Sequence, residues 1–122
     1  MKLAAYSQSQ TVTLKGEAAF EELYARLARW IGEAESFQRE QEFDSANLRI
    51  DRCAELLGYM NHAIDLSRNY EVAAAILSLH KFLIGALIKA KTEPEAGHLS
   101  GLGKVLITLT QTFEAMRTQK AT

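Results

Sequence analysis

The sequence predicts an all-α fold, an antiparallel up-down-up-down four-helix bundle with an extended N-terminal arm. Apolar residues recur at steps of three and four along four segments, which is the period of an amphipathic helix. No segment alternates apolar and polar residues as a half-buried strand does, and the sequence contains no Asn-Gly hairpin signal. The connections between the four segments are short, which favours antiparallel neighbours.

The arm is predicted over residues 1–14, because this stretch is rich in Ser, Thr and Gln and carries only isolated apolar residues. The first helix is predicted over residues 16–40. Its apolar positions step by three and four from one end to the other: Phe20, Leu23, Leu27, Trp30, Ala34 and Phe37.

The second helix is predicted over residues 44–67. Asp44 is a residue type that accepts hydrogen bonds from the free N–H groups of a first turn, so we expect it to be the N-cap. Asn69, in the short turn that follows, is expected to cap the next helix. The apolar stripe of the second helix is again regular: Ala46, Ile50, Cys53, Leu57, Met60 and Ile64.

The third helix, predicted over residues 70–91, is the most apolar segment of the chain. Fourteen of the nineteen residues from Val72 to Ala90 are apolar, so apolar side chains occur on nearly every face. The segment is just long enough to cross a bilayer, but Lys81 at its centre argues against membrane insertion. A soluble helix of this kind must be covered on more than one side, by its own bundle or by a partner.

The fourth helix is predicted over residues 94–118, with Pro94 in its first turn and residues 119–122 as a flexible tail. Three glycines, at positions 97, 101 and 103, weaken the start of this helix by roughly 1 kcal/mol each relative to alanine. We therefore expect an irregular beginning.

Composition excludes several classes of function. The chain has 14 basic and 15 acidic residues, interspersed on the predicted helices, so neither nucleic acid nor an anionic membrane is expected as a partner. The single Cys53 cannot form an internal disulfide, which suits a cytoplasmic location. Its place in an apolar stripe predicts a small buried side chain.

The sequence also lacks the spacings that catalysis or metal binding requires. A di-iron bundle needs two Glu-x-x-His motifs, and only Glu95-x-x-His98 is present. His62 and His80 lie on different helices, and we expect His80 at the bundle surface or bonded to a neighbour. No phosphate-binding loop or nucleophile motif occurs. We expect no enzymatic activity, no cofactor and no metal.

Several short stretches occur in an order typical of one family. They are Ala5-Tyr6 before Ser/Gln-rich residues, Gly16-Glu17, Leu23-Tyr24, Ile50 to Leu57, Leu79 to Leu83, and Ala86 to Ala90. In this order the chain resembles the flagellin-specific export chaperones of the FliS family, from Tyr6 to about Met116. It departs from them at Ala25-Arg26, at His80 and Phe82 in place of tyrosines, and at Phe113 in place of tryptophan.

The resemblance implies a cytoplasmic chaperone that binds the disordered C-terminal segment of flagellin and prevents premature polymerisation. Other flagellar export proteins are further possible partners. It also implies that Tyr6 belongs to an N-terminal cap over the empty binding groove, displaced by the client. The apolar excess of the third helix independently favours a groove for an amphipathic segment.

We expect the groove among apolar residues of the second and third helices: Ile50, Leu57, Met60, Leu77, Leu79, Phe82, Leu83, Ile84, Leu87 and Ile88. Positions on the flank of the third helix, such as Leu77 and Ile84, discriminate a groove from a core better than positions on its central stripe. The alternative is a structural or regulatory bundle that uses the apolar face of the third helix as the interface of a stable homodimer. For the chaperone itself, a weak homodimer is a further possible association.

Overall fold

A computed structural model describes residues 14–64 and 70–121, with side chains for 19–64 and 70–115. It contains four helices: α1 (Leu14–Arg39), α2 (Phe43–His62), α3 (Tyr70–Thr92) and α4 (Leu102–Ala121). The described ranges contain no strand. The predicted all-α four-helix bundle is confirmed.

Helix α1 is the central element of the bundle. It forms extensive interfaces with α4 and with α2, and α2 forms a further interface with α3. Within the described ranges, α3 and α4 make no interface of comparable extent, so the bundle is less closed on that side. The fully buried side chains come from the apolar stripes of all helices and from the α3–α4 connection: Tyr24, Leu27, Ile50, Cys53, Leu56, Leu57, Met60, His80, Leu83, Leu87, Leu99 and Leu106.

Aromatic residues join α1 to α4. The ring centroids of Phe20 and Phe113 lie 5.5 Å apart, and those of Tyr24 and Phe113 are also 5.5 Å apart. Such spacing is typical of favourable aromatic pairs, which add about 1 kcal/mol beyond the area they bury. Phe113 therefore fixes α4 against the first half of α1.

The predicted start of the fourth helix is wrong by two turns. The chain from residue 93 to 101 is a series of turns, and the helix begins at Leu102 instead of Pro94. Gly97 and Gly101 have φ angles of 75° and 89°, a left-handed backbone that a continuous helix cannot contain. Leu99, only 1% exposed, anchors this connection in the core.

Other helix ends also differ from the predicted ones, by one to five residues. Helix α2 begins at Phe43 with Glu42 as its N-cap, which makes no side-chain capping bond, so Asp44 lies in the first turn rather than at the cap. In the first turn the carboxylate of Asp44 still interacts favourably with the positive end of the helix dipole. Helix α2 ends at His62, and Ala63 follows as its C-cap. Helix α4 continues to Ala121, where a tail from residue 119 was expected.

A tight reversal joins α1 to α2. The Glu42 N–H donates to the carbonyl of Phe37 at 2.8 Å, and the Gln41 N–H donates to the carbonyl of Gln38 at 3.0 Å. These two bonds define a Schellman motif, in which glycine usually takes the left-handed position. Gln41 occupies that position here, with φ of 62°. The chain therefore carries local strain at this turn.

The predicted arm lies almost wholly outside the described residues, since the structure describes the chain from Leu14, which already belongs to α1. Asn69, the expected cap of the third helix, also lies outside them.

Candidate binding face on the third helix

Helix α3 buries only one narrow side against the bundle. The buried positions follow the helical period: Ala73, His80, Leu83, Leu87 and Ala90. Of the 18 residues in the most apolar stretch of this helix, 22% are buried. The other residues of that stretch are half-buried or exposed in the described part of the chain.

The side of α3 that faces away from the core combines large apolar, small and basic residues. Phe82 is 59% exposed and Ile88 is 55% exposed, with Gly85 exposed between them. We call this surface the outer face of α3 and define it by six residues: Ser78, Lys81, Phe82, Gly85, Ile88 and Lys89. Tyr70, 68% exposed, extends the apolar surface toward the beginning of the helix.

Within the described ranges, α3 is the one helix that is long enough and apolar enough to cross a membrane, judged by length and composition alone. A single such helix is weak evidence, because core helices of soluble proteins also meet these two criteria. The exposed Lys81 lies midway along it. A charge at that depth is costly in lipid.

The predicted groove residues divide into two sets. Five of them are 0–1% exposed and form part of the core, so they do not lie on the surface: Ile50, Leu57, Met60, Leu83 and Leu87. Five others are accessible: Leu77, Leu79 and Ile84 are half-buried, and Phe82 and Ile88 are exposed. The physical reason is that four of the buried residues, Ile50, Leu57, Met60 and Leu83, lie on the central stripes of their helices, which point into the bundle itself. Leu87 lies on the flank of α3 and is buried there as well. Tyr6 lies outside the described residues.

The four flank positions of α3, Leu77, Ile84, Leu87 and Ile88, show that the described part of the protomer leaves this surface open. Leu87 is fully buried, Ile84 is half-buried against the core, Leu77 is half-buried, and Ile88 is mostly exposed. A bundle closed on all sides would have buried all four. The accessible surface is therefore located on the outer face of α3 and its flanks.

A buried chain of hydrogen bonds holds α3 to its neighbours. His80 Nε2 lies 2.6 Å from the Tyr24 hydroxyl on α1, and His80 Nδ1 lies 2.5 Å from Asn61 Oδ1 on α2. A carboxamide oxygen only accepts, so Nδ1 carries the proton and donates to it. Nε2 then accepts from the tyrosine hydroxyl. The neutral imidazole is satisfied on both sides, and three helices are fixed together.

Burial favours the neutral form of each buried titratable group in this region. It lowers the pKa of His80 to about 4 and raises the pKa of the Tyr24 hydroxyl well above its usual 10. His80 was expected at the surface or bonded to a neighbour. The surface position is wrong and the bonded one is confirmed. The sequence could not identify the two partners of His80, because Asn61 and Tyr24 lie 19 and 56 positions away along the chain.

Cys53 is buried and free, as its place in the apolar stripe predicted. Burial, followed by the nearby carboxylate of Glu33, raises the pKa of its thiol to about 12, so it remains protonated and unreactive. Among the described residues, no three His, Cys, Asp or Glu side chains lie close enough to hold a metal ion. His98 Nε2 instead contacts the Glu93 carboxylate at 2.7 Å, within the α3–α4 connection.

The charges of α3 are arranged asymmetrically, a feature that the sequence analysis missed. Lys91 pairs with Asp51 of α2 at 2.7 Å, on the flank of α3 that faces α2. Lys81 and Lys89 are exposed, and among the described residues their ammonium groups make no ion pair. After Glu71 in its first turn, α3 carries no carboxylate. The outer face is therefore apolar and positive at once.

The fold and this open face define a small helical bundle protein whose surface is suited to bind another polypeptide. The chain matches the family model described as flagellar protein FliS over residues 1–120, and it belongs to that family. No curated protein and no solved structure gives a significant match. FliS is a family of flagellar export chaperones and not a family of enzymes. The family resemblance identified from the sequence is confirmed.

Proposed function

We propose that this protein is a cytoplasmic export chaperone that binds the C-terminal segment of flagellin and prevents its polymerisation before secretion. The observation that carries the proposal is the apolar surface of α3, where only 22% of the residues in the most apolar stretch are buried and both Phe82 and Ile88 are more than half exposed. Membership of the FliS family supports the same activity.

The physical argument rests on the uncovered area. An exposed apolar patch of this kind marks an interaction site in a soluble protein. An amphipathic client segment that folds on binding places its apolar face on such a surface. Each Å² of apolar surface removed from water contributes about 25 cal/mol, and the cost of ordering the client offsets part of it. Binding is then specific but reversible, as release at export requires.

We also propose the accessible part of the predicted groove as the client site: Leu77, Leu79, Phe82, Ile84 and Ile88. Phe82 and Ile88 are the best positions for a test, because their exposed side chains contribute little to the core. Ile84 packs against the core. A charge at Ile84 would therefore affect folding as well as binding.

Tyr6 is proposed to cover part of this surface when no client is bound, as the family resemblance implies. A truncation that removes residues 1–13 tests this directly. The truncated chain should bind the flagellin segment more tightly, because no internal competitor has to be displaced. Equal affinity of the two chains would contradict the cap.

The central experiment is calorimetric titration of the protein with the C-terminal segment of flagellin from the same organism. Binding with a negative heat-capacity change is expected, since apolar surface is buried. Absence of heat at several temperatures would remove the flagellin proposal.

Two single variants locate the site. Ile88→Glu should weaken binding at least tenfold while circular dichroism remains helical. Ile107→Glu on α4 is the matched control, because Ile107 is 53% exposed, close to the 55% of Ile88, and it should bind as the wild type does. Equal losses in both variants would contradict the assignment of the client to α3.

A further inference from the structure

Gly85 lies near the middle of α3, where glycine is unfavourable. A glycine inside a helix costs about 1 kcal/mol relative to alanine. Close packing within the protomer does not explain its presence, because a Cβ built on Gly85 has no described atom within 4 Å beyond its own helix backbone. The space above this residue is open, and Phe82 and Ile88 stand on its two sides. A partner helix can therefore approach the backbone of α3 closely here.

Lys81 and Lys89, whose ammonium groups make no ion pair with the described residues, lie symmetrically about Gly85. Lys81 precedes it by four residues and Lys89 follows it by four. Eight residues of helix span about 12 Å along the axis. A helical partner that crosses Gly85 at a small angle meets both ammonium groups, one at each end of the contact. Carboxylates seven or eight residues apart on the partner would pair with both.

The same symmetry argues against a second copy of this chain as the occupant. If two α3 helices packed antiparallel about Gly85, Lys81 of each would face Lys89 of the other. If they packed parallel, each lysine would face its own copy. Either arrangement places like charges against each other beside an apolar contact, which is unfavourable. An acidic partner removes this cost.

We propose that the outer face of α3 receives a helical client segment that packs small or apolar side chains on Gly85 and pairs two carboxylates with Lys81 and Lys89. This inference rests on the proposed function, since it specifies the chemistry of the client segment that the chaperone recognises. Phe82 and Ile88 supply the apolar contacts. The two lysines fix the register of the client helix and select a client that carries negative charge.

The test uses three labelled helical peptides of about 20 residues that share one Ala/Leu face. They carry two Glu, two Gln or two Lys residues spaced eight apart beside that face. Exposed ion pairs contribute 0.2–1 kcal/mol each, so two of them should make the Glu peptide bind about two- to thirtyfold tighter than the Gln peptide in fluorescence anisotropy at low salt. The Lys peptide should bind most weakly. High salt should reduce these differences below twofold.

Variants of the protein then identify the surface. The double variant K81E/K89E should reverse the order of the three peptides. Gly85→Leu should weaken all three at least tenfold, because the side chain fills the open space. Matched controls lie on the exposed side of α1, where Gly32 also has open space above it and Arg29 is exposed. Gly32→Leu and Arg29→Glu should leave affinity and order unchanged, and circular dichroism should remain helical in every variant.

Equal affinity for the three peptides, no binding of any peptide, or an order that K81E/K89E does not reverse would each overturn the inference. So would a dimer in sedimentation that Gly85→Leu dissociates, because the occupant would then be a second copy.

Titration with the flagellin segment separates this inference from the proposed function. Tight binding that K81E/K89E and Gly85→Leu leave unchanged refutes the inference and keeps the chaperone. Suppose instead that the Glu peptide binds best, that K81E/K89E reverses this order, and that the flagellin segment does not bind. This result supports the proposed surface and refutes flagellin as its client.

Discussion

The buried imidazole of His80 makes the stability of the bundle depend on pH near neutrality. Its pKa is about 4 in the folded protein, against 6.5 for an exposed histidine. Because the folded pKa is the lower one, the contribution is present above pH 6.5 and is lost as the pH falls toward 4. At pH 5 the unfolded chain binds one more proton than the folded protein. About 1.5 pKa units at 1.36 kcal/mol each then give a loss of about 2 kcal/mol relative to pH 7.

This loss can be measured by urea unfolding, followed by circular dichroism at fixed ionic strength between pH 7 and pH 5. Carboxylates contribute little in this range, because an exposed Asp or Glu titrates near pH 4. Thermal unfolding should show the same trend, with a decrease in Tm of roughly 8 °C for a domain of this size.

Two variants assign the pH dependence to one residue. His80→Gln removes the titrating group and should flatten the dependence, although the protein starts from a lower stability. His62→Gln is the matched control, because His62 is exposed on α2, and it should retain the full dependence. If His80→Gln loses as much stability as the wild type between pH 7 and pH 5, the buried neutral imidazole is not the cause and the reasoning is refuted.

Three further perturbations follow from the fold. Tyr24→Phe should cost 1–3 kcal/mol of unfolding free energy, because it leaves a buried imidazole nitrogen without its donor, and equal stability of the two proteins would contradict the hydrogen bond. Gln41→Gly should stabilise by about 1 kcal/mol through relief of the left-handed backbone, whereas Gly101→Ala, with φ of 89°, should destabilise by at least as much; chemical denaturation measures both. Cys53 should react with a thiol reagent only after unfolding, and rapid labelling of the native protein would show that its burial is incomplete.

The fold could be predicted from sequence because the helical period is a local property of each segment. The steps from Phe20 to Phe37 and from Ala46 to Ile64 suffice to place α1 and α2. The start of α4 could not be placed by the same means, since Pro94 is compatible with a first helical turn. The left-handed conformations at Gly97 and Gly101 become visible only in the structure.

The candidate site was predictable in kind and not in detail. Excess apolar residues in α3 indicated an uncovered face, and the structure contains one. Sequence periodicity does not say which side of a helix with two apolar faces meets its neighbours. The predicted groove therefore included the buried Leu83 and Leu87 together with the exposed Phe82 and Ile88. The contact of His80 with Tyr24 and Asn61 depends on three helices meeting at one point, which no local pattern encodes.

The interface between α1 and α4 has a consequence for synthesis of the protein. It joins the first and last helices of the bundle, so Phe20 and Tyr24 meet Phe113 only after α4 has emerged from the ribosome. Until then the apolar side of the nascent α1 that will contact α4 remains exposed to water. Non-local pairing of this kind makes folding slower than neighbouring contacts would. A message truncated before α4 would therefore release a fragment that tends to aggregate rather than a smaller folded bundle.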